Sequence, residues 1–218
     1  VGSPHGKKGN TARLLDEVLK GAASKGARNE TIILKGGSVQ PCRGCDRCHV
    51  KGSCPQRDDF NAIKQKILNA DGLILASPNY IFSVSAQLKA FMDRCCGVLH
   101  CLEFEGKYGA SIVTSGGGDE KPITEYMNHF LITTGIHPVG SVWATIGNLA
   151  DSQFTDVICA DAFALGEKLV TYWQRKKRMK RVDKKIAEFK ERMRELVSWQ
   201  KKEWPYEYDF WREKRGLK

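Results

Sequence analysis

Nothing in the 218 residues approaches the roughly 20 consecutive apolar residues of a membrane-spanning helix, so a membrane partner is not expected. No leader of basic, apolar and small-residue segments opens the chain. Internal repeats and low-complexity tracts are missing too. There is no G-x-S-x-G elbow, no Walker lysine and no nucleophile–base pair, which leaves hydrolase and kinase readings without support. His5, His100, His129 and His137 show no ligand spacing with one another. His5, beside the opening loop, is read as a ligand contact and the other three as structural. With no leader, the eight cysteines point to a reducing, cytoplasmic setting, where clustered thiols more often bind metal than pair as disulfides.

Charge is present but uneven. The formal net charge is +10, yet residues 174–218 hold 17 Lys/Arg against 8 Asp/Glu, a net of +9, leaving +1 for the remainder. This shift divides the chain into a nearly neutral unit, 1–173, and a basic extension, 174–218. At 41% hydrophobic residues over its whole length the chain can bury a sizeable core.

Along 1–173, apolar runs alternate with amphipathic stretches. Helices are predicted over 10–24, from 58 or 59 to 68, over 84–99, from just after Pro122 to 134, and over 155–173. Strands are predicted at Val1–Gly2, 31–34, 72–76, 108–114 and 137–146. This alternation predicts a doubly wound α/β fold: a parallel five-stranded sheet of order 2-1-3-4-5, helices on both faces, with the extension outside it. Only Val1 and Gly2 of the first strand stand in this sequence, so further residues upstream are expected.

In that order the loops after strands 1, 3 and 4 meet above the carboxyl edge of the sheet. The first, Gly2 to Thr11, is a glycine-punctuated turn into a helix. Unpaired backbone N–H groups and the helix dipole favour a phosphate there, with Ser3, Asn10 and Thr11 as side-chain donors. The second, Ser77-Pro78-Asn79-Tyr80-Ile81-Phe82, supplies an aromatic wall. The third, Thr114-Ser115-Gly116-Gly117-Gly118, supplies a glycine floor.

The loop over 35–58 is long for such a fold. It holds Cys42-x2-Cys45-x2-Cys48-x5-Cys54-Pro55, four thiols that can close round one centre without help from elsewhere. The spacing, with Pro after the last cysteine, is close to the bacterial ferredoxin run and points to a [4Fe–4S] cluster. Tetrahedral zinc or an empty, reduced loop are the alternatives. His49, inside the loop, is read as solvated, with a substitute ligand as the alternative. Cys95, Cys96, Cys101 and Cys159 are read as small buried hydrophobes.

Gly2-Ser3-Pro4 with Gly9-Asn10-Thr11, Ser77-Pro78-Asn79-Tyr80, Gln87-Leu88-Lys89 and Asp93-Arg94 together resemble the flavodoxin-like NAD(P)H-dependent FMN reductases. With the cysteine run added, the likeness is to their iron–sulfur flavoprotein branch, and it spans about 1–173. The resemblance implies FMN, its phosphate held by Ser3, Pro4, His5, Asn10 and Thr11. Its ring would lie between Pro78, Asn79, Tyr80, Ile81 and Phe82 on one side and Thr114, Ser115, Gly116, Gly117 and Gly118 on the other. It implies NAD(P)H as electron donor and a small molecule or protein as acceptor. In such enzymes the cofactor performs the chemistry, so no catalytic side chain is singled out. The alternative is a redox-sensing binding protein whose basic tail meets nucleic acid or an acidic partner; nucleic acid is not the expected partner.

In the extension, Met179, Val182, Ile186, Phe189, Met193 and Leu196 recur every three or four residues as one apolar helical stripe. Trp199, Trp204, Tyr206, Tyr208, Phe210 and Trp211 follow. With both sheet faces already covered, the extension is expected to dock on a second subunit of a homo-dimer or tetramer, near its flavin edge or cysteine loop. Folding back on its own domain is the alternative.

Overall fold

The computed structural model describes residues 1–217. Three parallel strands pair in chain order: β1 (Gly72–Pro78), β2 (Tyr108–Ser115) and β3 (His137–Thr145). Every residue of β2 is buried, as expected of a parallel strand covered on both faces. The β2–β3 register slips between Gly109 and Ala110, next to Pro138, which has no N–H to give the ladder.

The alternation of side chains along the strands sorts the helices into two layers. Ala76, Tyr108, Ala110 and Ile112 pack with Leu14, Leu15 and Val18 of α1 (Asn10–Ser24) and Leu165 and Leu169 of α7 (Asp156–Gln174). Leu75 and Val113 face the other way. They pack with Phe60 and Ile63 of α3 (Phe60–Asn69), Leu88 and Phe91 of α4 (Ala86–Arg94), and Met127 and Leu131 of α6 (Glu120–Thr133).

The predicted strands at Val1–Gly2 and 31–34 do not form regular strands, though their backbones are hydrogen-bonded to one another and to β1. Val1 donates its terminal amine to Ile32 O at 2.8 Å, Leu34 N–H donates to Val1 O at 2.9 Å, and Gly2 N–H donates to Ala76 O at 2.8 Å. A two-residue segment is too short to build a ladder on either side. Beside it opens a cavity of about 830 Å³, bordered by Leu15, Leu34, Ile63, Leu73 and Leu75.

The helix predicted over 84–99 is two helices, α4 and α5 (Cys96–Cys101). At Cys95 the chain tightens, and its N–H bonds to Met92 O, three residues back, at 3.0 Å. The cysteine loop contains an unpredicted short helix, α2 (Arg47–Lys51).

The extension forms α8 (Lys180–Trp199) and α9 (Pro205–Arg215) and folds back on its own chain. Ile186, Met193, Val197 and Trp211 are buried against Cys101, Leu102 and Ile132. Trp211 Nε1 donates to His100 O at 3.0 Å, and Arg215 Nη2 donates to Cys101 O at 2.8 Å. This corrects the expected docking of the stripe on a second subunit. The exposed edge of α5 and α6, beyond the two sheet-covering layers, is the apolar surface the stripe satisfies. Among the described residues, no helix is long and apolar enough to cross a membrane.

Candidate flavin site and cysteine loop

The turn from Gly2 into α1 is dictated by contacts only glycine permits. A Cβ on Gly2 would meet Ser85 Oγ at 2.6 Å and Leu88 Cβ at 2.7 Å, and one on Gly9 would meet His5 Cβ at 2.8 Å. Gly9 precedes α1 with no side-chain cap, so the N–H groups of Asn10 and Thr11, ahead of the first bonded N–H at Ala12, have no partner of their own. Ser3 and Thr11 are buried, whereas Pro4 and His5 are exposed and Asn10 is half-buried. Thr11 Oγ1 lies 2.7 Å from Thr114 Oγ1, a buried hydroxyl pair that ties the first loop to the end of β2.

Asn79 joins the second loop to the third. Its N–H donates to Thr114 O at 2.7 Å and its Nδ2 to Gly118 O at 2.9 Å. Its Oδ1 is buried without a partner. Tyr80 and Ser83 exchange backbone hydrogen bonds at 2.9 and 3.2 Å, and the two residues between them, Ile81 and Phe82, both have positive φ (48° and 59°). Bulky residues rarely adopt this conformation, and strain of this kind concentrates at ligand sites. The turn leaves Ile81 90% and Phe82 76% exposed, with Tyr80 partly so and Pro78 at the end of β1. A Cβ on Gly116, Gly117 or Gly118 would meet nothing within 4 Å, so this floor is open.

Two supports were missed in the sequence. Glu120 is buried at the start of α6 and accepts from the hydroxyls of Ser115 and Thr145, the latter at 2.5 Å; Ser115 Oγ in turn accepts from Gly118 N–H at 2.8 Å. Burial raises the pKa of this carboxyl, but the hydroxyl bonds outweigh it and hold it below the usual value. The loop after β3 closes on the same edge, with Gly147 N–H donating to Gly116 O at 3.1 Å and Arg13 of α1 donating to Ser152 O at 3.2 Å. A buried acid at a helix start is a weak signal, and that loop carries no motif.

The cysteine loop is closed at its neck. Gln40 N–H donates to Asp58 Oδ2 at 2.8 Å, and Asp59 N–H donates to Ser38 O at 2.9 Å. Arg94 locks this neck with bonds to both Asp58 oxygens and to Gln40 O. Burial opposes charge on both side chains, yet their pairing prevails, lowering the Asp58 pKa and raising that of Arg94. Beyond the neck, Cys42 and Cys45 are exposed and Cys48 and Cys54 half-buried. Gly44, at φ 59°, turns its N–H toward Cys42 Sγ at 3.5 Å. Asn61 of α3 fixes Cys54 by donating Nδ2 to its carbonyl at 2.8 Å.

His49 is not solvated. It is buried, its Nδ1 donates to Glu207 Oε1 at 2.5 Å, and His100 Nδ1 donates to Glu207 Oε2 at 3.0 Å. Cys96, half-buried, is not a plain core thiol either, because it faces both imidazoles; Cys95 and Cys101 are buried as expected and Cys159 is half-buried. Hydrogen bonds from His100 and His49 bring the Cys96 pKa down to about 6. His137 is buried, accepting Met179 N–H at 3.1 Å, while His129 is exposed.

The sequence profile of NADPH-dependent FMN reductases matches residues 1–151. The chain belongs to that family. An iron-sulfur flavoprotein of Archaeoglobus fulgidus is 34% identical over 98% of this chain and 96% of its own length. Two solved structures carry the fold at low identity. A flavone reductase aligns with TM-score 0.61 and 16% identity over 77% of this chain and 60% of its own. A flavodoxin from the domain Archaea aligns with TM-score 0.51 and 15% identity over 77% and 92%. The chain therefore has a flavodoxin-like α/β fold and is an FMN-dependent oxidoreductase. Its strand-end loops fit the cofactor: a helix start open to a phosphate, an unpartnered buried acceptor at Asn79 Oδ1, and a floor without side chains.

Proposed function

We propose that this protein takes electrons from NAD(P)H onto FMN and passes them through a [4Fe–4S] cluster on Cys42, Cys45, Cys48 and Cys54 to a small-molecule or protein acceptor. The observation that carries the flavin site is the unpartnered Asn79 Oδ1, buried where the three loops are bonded together by Thr11, Thr114 and Gly118. FMN, when bound, supplies the chemistry, accepting two electrons together and able to release them singly. The chain's part is to hold and orient it. Ser3, Asn10, Thr11 and the leading N–H groups of α1 receive the phosphate, with Pro4 and His5 at its rim. The backbone of 78–82 and 114–118 borders the ring, and the exposed Tyr80 and Phe82 leave one side open to a nicotinamide.

The cluster assignment is supported by the four-thiol spacing, the closed neck of the loop and the Gly44 N–H directed at Cys42 sulfur. The name of the Archaeoglobus fulgidus relative agrees with it. The strand order 2-1-3-4-5 is supported by the three hydrogen bonds that set residues 1–2 between 32–34 and β1. We read 1–173 as the flavin domain and 174–218 as its extension, in a cytoplasmic homo-oligomer. Trp199, 80% exposed on the extension, is the contact we assign to a second subunit.

Anaerobic purification followed by FMN, iron and sulfide analysis tests the reading. About one FMN and four each of iron and sulfide per chain are expected. Thr11→Glu should purify without FMN but with its iron, since it sets a carboxylate against the phosphate. Full FMN in that variant would misplace the phosphate site, and zinc in place of iron would overturn the cluster.

A further inference from the structure

Three separate segments bring two imidazoles, a thiol and a carboxylate together behind the cysteine loop. His49 comes from α2, Cys96 and His100 from successive turns of α5, and Glu207 from α9. Glu207 is 0% exposed, and its two oxygens each receive one imidazole at Nδ1. That fixes both rings with Nε2 turned away from the carboxylate. Both Nε2 atoms then face the same sulfur: Cys96 Sγ lies 4.0 Å from His49 Nε2 and 3.8 Å from His100 Nε2. The three ligand atoms all lie within 4.8 Å of one another, the only such group among the described residues. The Trp204 ring stacks on both imidazoles, at 4.6 and 4.7 Å between centroids, and walls the site.

Zinc bonds of about 2.0–2.1 Å to nitrogen and 2.3 Å to sulfur put tetrahedral ligand atoms roughly 3.5 Å apart, so ligand atoms already within 4.8 Å of one another need close by no more than about 1.3 Å. A carboxylate holding the far nitrogen of each ligating histidine is the arrangement that fixes its tautomer and raises its basicity. Thiolate and carboxylate together would also balance one divalent charge. We propose that His49, Cys96 and His100 bind one transition-metal ion of the zinc class, oriented through Glu207 of the C-terminal extension, and that the ion fastens the cysteine loop to α5. The fourth position falls to water or to the Asp46 carboxylate, whose Oδ1 is 3.7 Å from His49 Nε2. The site shares no ligand with the four loop cysteines, although His49 directly follows Cys48.

The test uses the full chain, purified anaerobically with its FMN and iron, loaded with zinc and passed through gel filtration. About one zinc per chain is expected in addition to the iron. Zinc-edge X-ray absorption should show one sulfur among nitrogen and oxygen neighbours. Cys96→Ser and His100→Gln should each weaken zinc binding at least about 10-fold, and Glu207→Gln about 10–100-fold, with iron and FMN content kept. Zinc should raise the melting temperature of the wild type but not of Cys96→Ser. A sulfur-only zinc shell would place the metal in the cysteine loop and overturn the proposal. So would unchanged zinc binding in Cys96→Ser and His100→Gln, or a wild type that retains no zinc; the wild-type measurements decide even if a variant fails to fold.

Discussion

Glu120 touches none of the predicted flavin contacts except Ser115, yet it holds the glycine floor in place through that hydroxyl and ties it to Thr145. Its folded pKa lies below the ordinary 4.5 despite burial, so its contribution is complete above pH 4.5 and is lost as pH falls through the folded value. The wild type should therefore show, besides the titration of the phosphate at about pH 6, a further loss of FMN affinity as pH falls below 4.5. Glu120→Gln should bind FMN roughly 10-fold more weakly at pH 7, about the 1.4 kcal/mol of one charged hydrogen bond. It should also lose this part of the acid dependence. FMN titration by fluorescence at several pH values measures both; an identical acid limb in the variant would remove Glu120 from the account.

At the scale of elements, the sharpest constraint is where α1 crosses α7. A Cβ on Gly21 would stand 1.9 Å from Phe163 O, and one on Gly166 would stand 1.9 Å from Val18 O. Each helix thus presses a glycine into the other's backbone. Alanine ordinarily stabilises a helix interior by about 1 kcal/mol over glycine. Here overpacking opposes it by about 1–3 kcal/mol, and backbone atoms cannot swing aside as a side chain can. Gly21→Ala should therefore destabilise the protein, read as a lower urea midpoint. Because α1 also aims its N-terminus at the proposed phosphate site, FMN affinity should fall with it. A midpoint equal to or above the wild type would show that the helices part at no cost.

Over the whole molecule, the extension is a clamp on α5, α6 and the cysteine loop. The Tyr206 ring covers Gly52 so closely that a Cβ there would lie 2.3 Å from it, Trp211 is 2% exposed, and Glu207 holds His49 and His100. Deleting residues 205–218 removes a buried Trp and leaves both imidazoles without their carboxylate. A loss of at least about 3 kcal/mol is expected. At about 2–4 °C per kcal/mol for a chain of this size, the thermal midpoint should drop by roughly 6–12 °C. Calorimetry of the truncated and full-length proteins checks this; an unchanged midpoint would mean that the extension only rests on the surface.

The sequence by itself determined the alternating α/β plan, the three loops that meet at the carboxyl edge of the sheet and the cysteine spacing. Each is a local pattern: apolar periodicity, glycine in turns, thiols a few residues apart. It also marked the extension as a helix with an apolar stripe. Where that stripe lies was decided only in three dimensions, because periodicity says that a face must be covered and not by what. The same limit hid the support from Glu120 and the closure of the 146–154 loop. It also hid the burial of His49, whose partners Cys96, His100 and Glu207 stand 47, 51 and 158 residues away in sequence. Such groups acquire a shared chemistry only when packing of α2, α5 and α9 brings them to one point, and no spacing in the chain encodes that meeting.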